Sequence, residues 1–264
     1  MKAARARAHP LSTNTLGSMV NSLKRWFGGI RGGRDDWAAV AEWAQRCDYR
    51  FARSSDGSGF VIEGGPAQTA WRLEWGASQR RYFNSPELRV RGEVGPTGEL
   101  QMLVIGRDLM GLLERQVFEA STEGTETRVD DTLPEEMRWL VLHPKLPRAE
   151  LGPLREAFGA LANLPRAAQS WLDAALVKQL EAASGWLAEP LPLVLMVQRG
   201  RLTLRCALAQ PEVAALRAAL SLFGAALSAA KRVGDEIGKG QIGAGRPTAW
   251  GPPSALPPDD DAAR

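Results

Sequence analysis

The stretch that decides the fold is Leu191–Arg232, which reads LPLVLMVQRGRLTLRCALAQPEVAALRAALSLFGAALSAAKR. Its first part, Leu193–Val197, is apolar at every position, which is typical of a strand covered on both faces. Arg199-Gly200 predicts a two-residue turn, and the alternation in Leu202–Cys206 predicts a second strand. Apolar residues then recur three and four apart, which predicts one long helix: Val213, Leu216, Leu220, Phe223 and Leu227.

The predicted helix also has features of a membrane span. Between Val213 and Ala230 only Arg217 is charged. A span needs about 20 strongly apolar residues, whereas this segment consists mainly of alanine and contains Ser221 and Ser228. Alanine favours the helix and lets backbones pack closely. We therefore predict a helix buried against a sheet.

Similar patterns run through the rest of the chain. Alternating or wholly apolar segments predict strands at 49–53, 60–62, 71–75, 88–94, 100–105 and 137–142. Apolar residues spaced three and four apart predict helices at 35–46, 108–120, 148–163 and 166–184. The predicted fold is α+β, with antiparallel β-hairpins forming a sheet and about four or five helices packed on it.

Composition divides the chain into three parts. Residues 1–34 predict a flexible basic N-terminal segment, 35–232 a single α+β globular domain, and 233–264 a disordered Gly/Pro/Asp-rich tail. Within the domain, 87–120 and 191–231 share the order strand, turn, strand, helix. This is a weak pseudo-repeat, because a hairpin followed by a helix is a common unit.

The N-terminal segment leaves two alternatives open. It has no apolar run of the length a signal peptide needs before Asp35, so we expect a cytoplasmic protein. Met19 is an alternative start to Met1. Residues 23–30 combine Trp26, Phe27 and basic residues, so a weak membrane-surface contact is an alternative to packing on the domain. Two cysteines and an Arg- and Ala-rich composition fit a bacterial cytoplasm.

The positive net charge of +3 does not come from the predicted domain. Residues 1–34 contain seven basic and no acidic residues, whereas 35–234 contain 23 basic and 25 acidic ones. A phosphate-binding surface is therefore not indicated by charge. We expect no nucleic-acid partner, while another protein remains a candidate partner.

Two features of the sequence suggest a chemical site, but neither occurs in the context that such a site requires. Gly238–Gly243 matches G-x-G-x-x-G, but it follows a helix, whereas a dinucleotide fingerprint follows a strand and opens a helix. His143 stands without evident partners for a metal site or a catalytic relay. We therefore assign no catalytic residues, metal ligands or cofactors, and leave open whether the protein is an enzyme.

One segment combines arginines with aromatic residues. The candidate binding residues are Trp71, Trp75, Arg80, Arg81, Tyr82, Arg89 and Arg91. Arginine and aromatic side chains on a sheet can hold an anionic or aromatic partner. The alternative is a solvated strand face whose arginines pair with Glu74, Glu87 or Glu93 on neighbouring strands.

Three hypotheses for function follow. The first is a non-catalytic protein that binds another macromolecule, because no catalytic constellation is present while an Arg/aromatic segment is. The second is an enzyme or small-ligand-binding protein whose site is assembled from distant residues around that segment. The third is a peripheral membrane-associated protein that attaches through residues 23–30.

Overall fold

The computed structural model describes residues 37–97, 99–123 and 133–242. Their eight strands form one antiparallel sheet in the order β1-β2-β3-β4-β8-β7-β5-β6. The strands are β1 (Arg50–Arg53), β2 (Phe60–Gly64), β3 (Trp71–Gly76), β4 (Glu87–Glu93), β5 (Met102–Gly106), β6 (Phe158–Ala162), β7 (Leu193–Gln198) and β8 (Arg201–Ala207). The predicted α+β class and antiparallel sheet are confirmed.

The described residues contain six α-helices, slightly more than predicted. They are α1 (Ala38–Arg46), α2 (Arg107–Glu123), α3 (Glu135–Leu142), α4 (Pro165–Trp171), α5 (Ala174–Glu181) and α6 (Val213–Gly238). Short 3-10 helices span Ala67–Thr69, Arg148–Arg155 and Ala182–Gly185. The segments predicted at residues 1–34 and from 243 onward lie outside the described residues.

The hairpin predicted from the opening stretch lies at the centre of the sheet. β7 and β8 pair through the turn at Arg199-Gly200, and together they lie between β4 and β5. Consequently β4 and β5 are not neighbours, whereas β7 and β8 are. The pseudo-repeat therefore has the same order of elements in both parts but different strand pairing.

The first face of the sheet carries the main core. Side chains such as Leu73, Val90 and Leu204 alternate onto this face and are fully buried. Helices α1, α4, α5 and α6 contribute to the same cluster, which includes Trp171 and Phe223. Because side chains alternate along each strand, the intervening residues all lie on the second face.

Helix α6 crosses the first face. By length and composition it is the one helix among the described residues that could span a membrane, with a mean hydropathy of 1.7 over its most apolar window. Half of that window is buried, and Leu216, Leu222 and Phe223 pack in the core. These contacts are those of a helix buried against a sheet.

The second face is covered over only part of its width. Helices α2 and α3 pack on β5, β6 and β7 through a smaller apolar cluster that includes Leu103, Leu113, Trp139 and Val194. Over β2, β3, β4 and β8 the described residues place no helix on this side. The uncovered part is where the charged strand residues lie.

Two sequence predictions about this region were wrong. Residues 137–142 form part of helix α3, and Glu136, Met137, Trp139 and Leu140 are its buried side. A short apolar run cannot distinguish a strand from a buried helix by periodicity alone. The predicted helix at 148–163 is a 3-10 segment followed by strand β6, because Gly152 has a φ of +54° and Pro153 follows it.

Other helix boundaries differ between the prediction and the structure. The helix predicted at 166–184 is divided where Asp173 caps α5 by accepting a hydrogen bond from the Leu176 amide at 2.9 Å. Helix α6 continues six residues beyond Arg232, to Gly238. Val233 and Ile242 are buried, so packed structure continues past the predicted start of the tail.

Candidate functional site: an arginine groove on the open face

The uncovered part of the second face, here called the open face, consists of the outward strand positions of β1, β2, β3, β4 and β8. Strand alternation places apolar residues in the core and charged residues here. The open face carries six arginines and four glutamates: Arg50, Arg72, Arg89, Arg91, Arg201, Arg205, Glu63, Glu74, Glu87 and Glu93. Residues 35–234, which contain 23 basic and 25 acidic residues, thus have a local excess of two positive charges on this face.

Like charges lie directly opposite each other in the register. Arg72 is paired with Arg91 across β3 and β4, and Arg89 is paired with Arg205 across β4 and β8. Such pairs are destabilising unless negative groups lie between them. The glutamates of the open face provide these negative groups.

Glu74 is the negative centre of one group. Its carboxylate accepts hydrogen bonds from Arg72 Nε at 2.6 Å, from Arg91 at 3.0 Å, and from Arg89. Burial alone would raise the pKa of Glu74, but the hydrogen bonds from Arg72 and Arg89 and the charge of Arg91 outweigh it and lower the pKa to about 2. Glu74 therefore stays ionised at neutral pH.

Glu87 is the negative centre of a second group. It is 3% exposed, and its Oε1 accepts a hydrogen bond from Arg205 Nη1 at 2.5 Å. The backbone N–H of Gln79 donates a hydrogen bond to Glu87 Oε2 at 2.8 Å. This contact fixes the β3–β4 connection against the second face.

Glu136 on α3 is the negative centre of a third group. It is fully buried, and its Oε1 accepts hydrogen bonds from Arg80 Nε and from the Tyr82 hydroxyl, each at 2.5 Å. Burial alone would raise the pKa of Glu136, but these hydrogen bonds hold it below its usual value. Burial and the Glu136 charge raise the pKa of Tyr82, so its hydroxyl stays protonated.

A groove lies between these groups, where β4, β8 and β7 meet the start of α3. We call it the arginine groove; its volume is about 310 Å³ and it is lined by Arg80, Arg91, Glu135, Met196, Gln198, Arg199, Arg201, Thr203 and Arg205. Five of these nine residues are arginines and one is acidic. Arginine presents donors in a planar fork that matches carboxylate and phosphate geometry.

Shallower concavities continue from the groove across the open face. One of about 680 Å³ shares Arg91 and Arg201 with it and reaches Trp71. Another of about 220 Å³ lies over Glu74 and Arg89, beside the β1–β2 hairpin. The three form a continuous band, but among them only the arginine groove has more basic than acidic lining residues.

The arginines hold more donors than the neighbouring glutamates accept. The Nε groups of Arg89, Arg91 and Arg205 are buried, and no acceptor lies within hydrogen-bond distance among the described residues. Arg199 is exposed on the β7–β8 turn and makes no ion pair with the described part of the chain. Each guanidinium carries five donors, so an anion in the groove meets the exposed side chains of Arg199 and Arg201, whereas the buried Nε groups lie out of its reach.

The structure brings together some of the predicted binding residues and separates others. Arg89 and Arg91 lie on the open face, and Arg80 borders the groove. Trp71 and Trp75 alternate onto the core face, where Trp75 Nε1 donates to the Leu208 carbonyl at 2.8 Å. Strict alternation in Trp71–Trp75 was the sequence signal that separates these tryptophans from the arginines.

The two remaining candidates differ in exposure. Tyr82 is half-buried against Phe83 and Glu136, so it supports the site from behind. Arg81 is exposed and lines none of these concavities. The sequence reasoning did not include Arg199, Arg201 and Arg205, because their place beside β4 depends on β8 inserting next to it.

The salt-paired alternative also describes real contacts. Arg89 and Arg91 pair with Glu74, Arg205 pairs with Glu87, and Arg201 Nε lies 3.0 Å from Glu93. These pairs hold the arginines in place. They leave Arg199 exposed in the groove without an ion pair among the described residues, so pairing and ligand binding are compatible.

Acid should weaken the Glu74 group. Because the folded pKa of Glu74 is about 2 and its ordinary value is 4.5, its ionised form stabilises the fold above pH 4.5, and that stabilisation is lost as pH falls toward 2. We expect urea unfolding of Glu74→Gln to lose less stability than the wild type between pH 5 and pH 2.5. Parallel losses in the two proteins would contradict the role given to Glu74.

The other chemical candidates show no site among the described residues. No cluster of three or more metal-ligating side chains occurs there. His143 Nε2 lies 2.6 Å from Gln101 Oε1, and burial lowers its pKa. The glycines from Gly238 end helix α6 instead of following a strand, so the described part of that motif lacks a dinucleotide-binding context.

Comparisons with known proteins add little to this geometry. No family model and no curated protein sequence matches the chain. The solved structure of the mycobacterial trehalose monomycolate transport factor A, TtfA, is similar with a TM-score of 0.41 and 8% sequence identity, over 76% of this chain and 95% of that one. A similarity at this level carries no argument about function, which has to come from the site.

Proposed function

We propose that this protein is a non-catalytic binding protein that holds an acidic polypeptide segment of another protein in the arginine groove. One observation carries the proposal: five arginines from two strands and two loops surround a groove with a single acidic residue. The groove continues into the band across the open face. The two neighbouring concavities contain at least as many acidic as basic residues, so the acidic segment is assigned to the arginine groove itself.

A polypeptide is favoured over a nucleic acid by charge and by the position of the aromatic rings. Binding of single-stranded nucleic acid combines a basic groove with aromatic rings on which bases stack. No aromatic residue lines the arginine groove in the described part of the chain, and Trp75 is buried in the core. The charge of residues 35–234 gives no broad positive field either.

Binding is favoured over catalysis by the ionisation of the buried acids. A general acid or base works best with a pKa near the operating pH. The pKa values of Glu74 and Glu136 are lowered and that of Tyr82 is raised, so each moves away from neutrality. These groups are suited to fixing arginines in position.

Reversing two groove charges should abolish binding of an acidic probe. Arg199 and Arg201 are exposed, so Arg199→Glu with Arg201→Glu leaves the core intact. A fluorescein-labelled oligo-aspartate peptide, measured by fluorescence anisotropy at low salt, should bind the double variant at least about tenfold more weakly than the wild type. The estimate follows because a hydrogen bond to a charged group contributes about 1.5–3 kcal/mol, and 1.4 kcal/mol is a factor of ten.

A matched control separates the groove from overall charge. Arg166→Glu with Arg217→Glu makes the same charge change on exposed positions of α4 and α6, on the other side of the sheet. It should retain most of the affinity. Equal loss in both variants, or tighter binding of a single-stranded oligonucleotide or inorganic phosphate than of the peptide, would overturn the proposal.

A further inference from the structure

We infer that the chain's own acidic segment Asp259–Asp261 occupies the arginine groove and competes with the external ligand. This inference rests on the proposed function, because it assigns a second occupant to the same groove. It makes the groove self-limiting, since a partner segment must displace an acidic segment that is already tethered to the protein. The argument depends on where the described chain ends, on its reach and on its charge.

The chain leaves the described structure at the end of the sheet where the groove opens. A Cβ added to Gly234 near the end of α6 would lie 3.2 Å from Thr97 Cγ2, in the β4–β5 connection. The same connection contacts the β7–β8 turn, where the Val94 amide donates to the Gly200 carbonyl at 2.7 Å. Arg199 of that turn lines the groove.

The length of chain between these points is sufficient. Sixteen residues, 243–258, separate Ile242 from Asp259. Fully extended they span about 50 Å, and as a random chain of this length roughly 20–25 Å. The path round the end of the sheet crosses a helix layer and the sheet, each about 10 Å thick. The triplet therefore reaches the open face without stretching its tether.

The charges of the two parts are complementary. Asp259–Asp261 supplies three adjacent carboxylates, and the groove is lined by five arginines and one acidic residue, with Arg199 and Arg201 exposed. Three extended residues cover roughly 7–10 Å, comparable with two strand spacings of about 4.8 Å. An aspartate triplet therefore matches the spread of the arginines on β4, β8 and the turn.

Tethering makes even a weak interaction effective. A short linker gives the tethered segment an effective concentration on the order of a millimolar, so a segment with an intrinsic Kd near this value occupies the groove for much of the time. An external acidic peptide must compete with it. Removing the three charges should therefore strengthen binding of the probe.

The test uses the full chain with Asp259→Asn, Asp260→Asn and Asp261→Asn together. We expect the Kd of the oligo-aspartate probe to fall by about 3- to 10-fold at low salt, and the difference from wild type to vanish at high salt because these interactions are screened. The matched control, Glu42→Gln with Glu181→Gln and Glu189→Gln, removes three exposed charges elsewhere and should leave the Kd close to the wild-type value.

The outcomes separate this inference from the proposed function. If the asparagine variant binds the probe with wild-type affinity while Arg199→Glu with Arg201→Glu abolishes binding, the inference fails and the proposed function stands. If the groove variant also binds normally, both fail. A gain that grows with protein concentration would assign the groove to the acidic segment of a second copy, which likewise overturns occupancy within one chain.

Discussion

Replacing Leu204 by aspartate is expected to unfold the protein. Leu204 is fully buried at the centre of the sheet, where it pairs with Val90 on β4 and Leu195 on β7. Burying an unpaired carboxylate costs many kcal/mol unless the group is neutralised. Native stability is only about 5–15 kcal/mol, so circular dichroism and urea unfolding should show no cooperative native state.

The neighbouring residue provides the control for this variant. Thr203 is one position away on β8 but lies on the open face, beside the arginines. Thr203→Asp should fold with a melting temperature near that of the wild type. Leu220, which the sequence pattern places in the same stripe, is only partly buried, so Leu220→Asp should cost less. A soluble Leu204→Asp protein with an unchanged melting curve would refute the central position of the hairpin.

Truncating Glu136 to alanine is expected to cost about 3–5 kcal/mol of stability, since removing one partner of a buried ion pair leaves the other charge uncompensated. Glu136 is fully buried and holds both Arg80 and Tyr82. The change also frees the β3–β4 connection that borders the groove. Urea unfolding should show a lower midpoint with a similar slope.

The adjacent acid gives the comparison. Glu135 is about one-third exposed and lies 3.8 Å from Arg138, a spacing at which surface pairs contribute under about 1 kcal/mol. Glu135→Ala should therefore be nearly neutral. Similar unfolding midpoints for the two variants would mean that Glu136 does not anchor Arg80 and Tyr82.

The parts of the fold that could be predicted are those with one dominant periodicity. The β7–β8 hairpin and the long helix after it were predicted because Leu193–Val197 is wholly apolar and the α6 stripe spans many turns. Segment 137–142 could not be resolved, since Trp139 and Leu140 fit a buried strand as well as a helix. The helix predicted at 148–163 is interrupted at Gly152, which has a positive φ. The spacing of apolar side chains gives no information about this backbone angle.

The candidate site was predictable only in part. Arg89 and Arg91 were found because they alternate with buried residues along one strand. The groove additionally needs Arg201 and Arg205, which lie 110 or more positions later and reach β4 only through the inserted hairpin. Glu136 lies on a segment whose helical form was missed. Non-local pairing therefore determined which arginines come together.

The most direct test of the arginine groove is a chemical-shift map of the wild-type protein titrated with the unlabelled oligo-aspartate peptide. Perturbed signals should concentrate on the backbone amides of 198–203 and on the side chains of Arg199 and Arg201, because these two arginines line the groove and are exposed. Shifts confined to α6 and the other helices of the first face, or no shifts at saturating peptide, would contradict the assignment of the groove as the binding site.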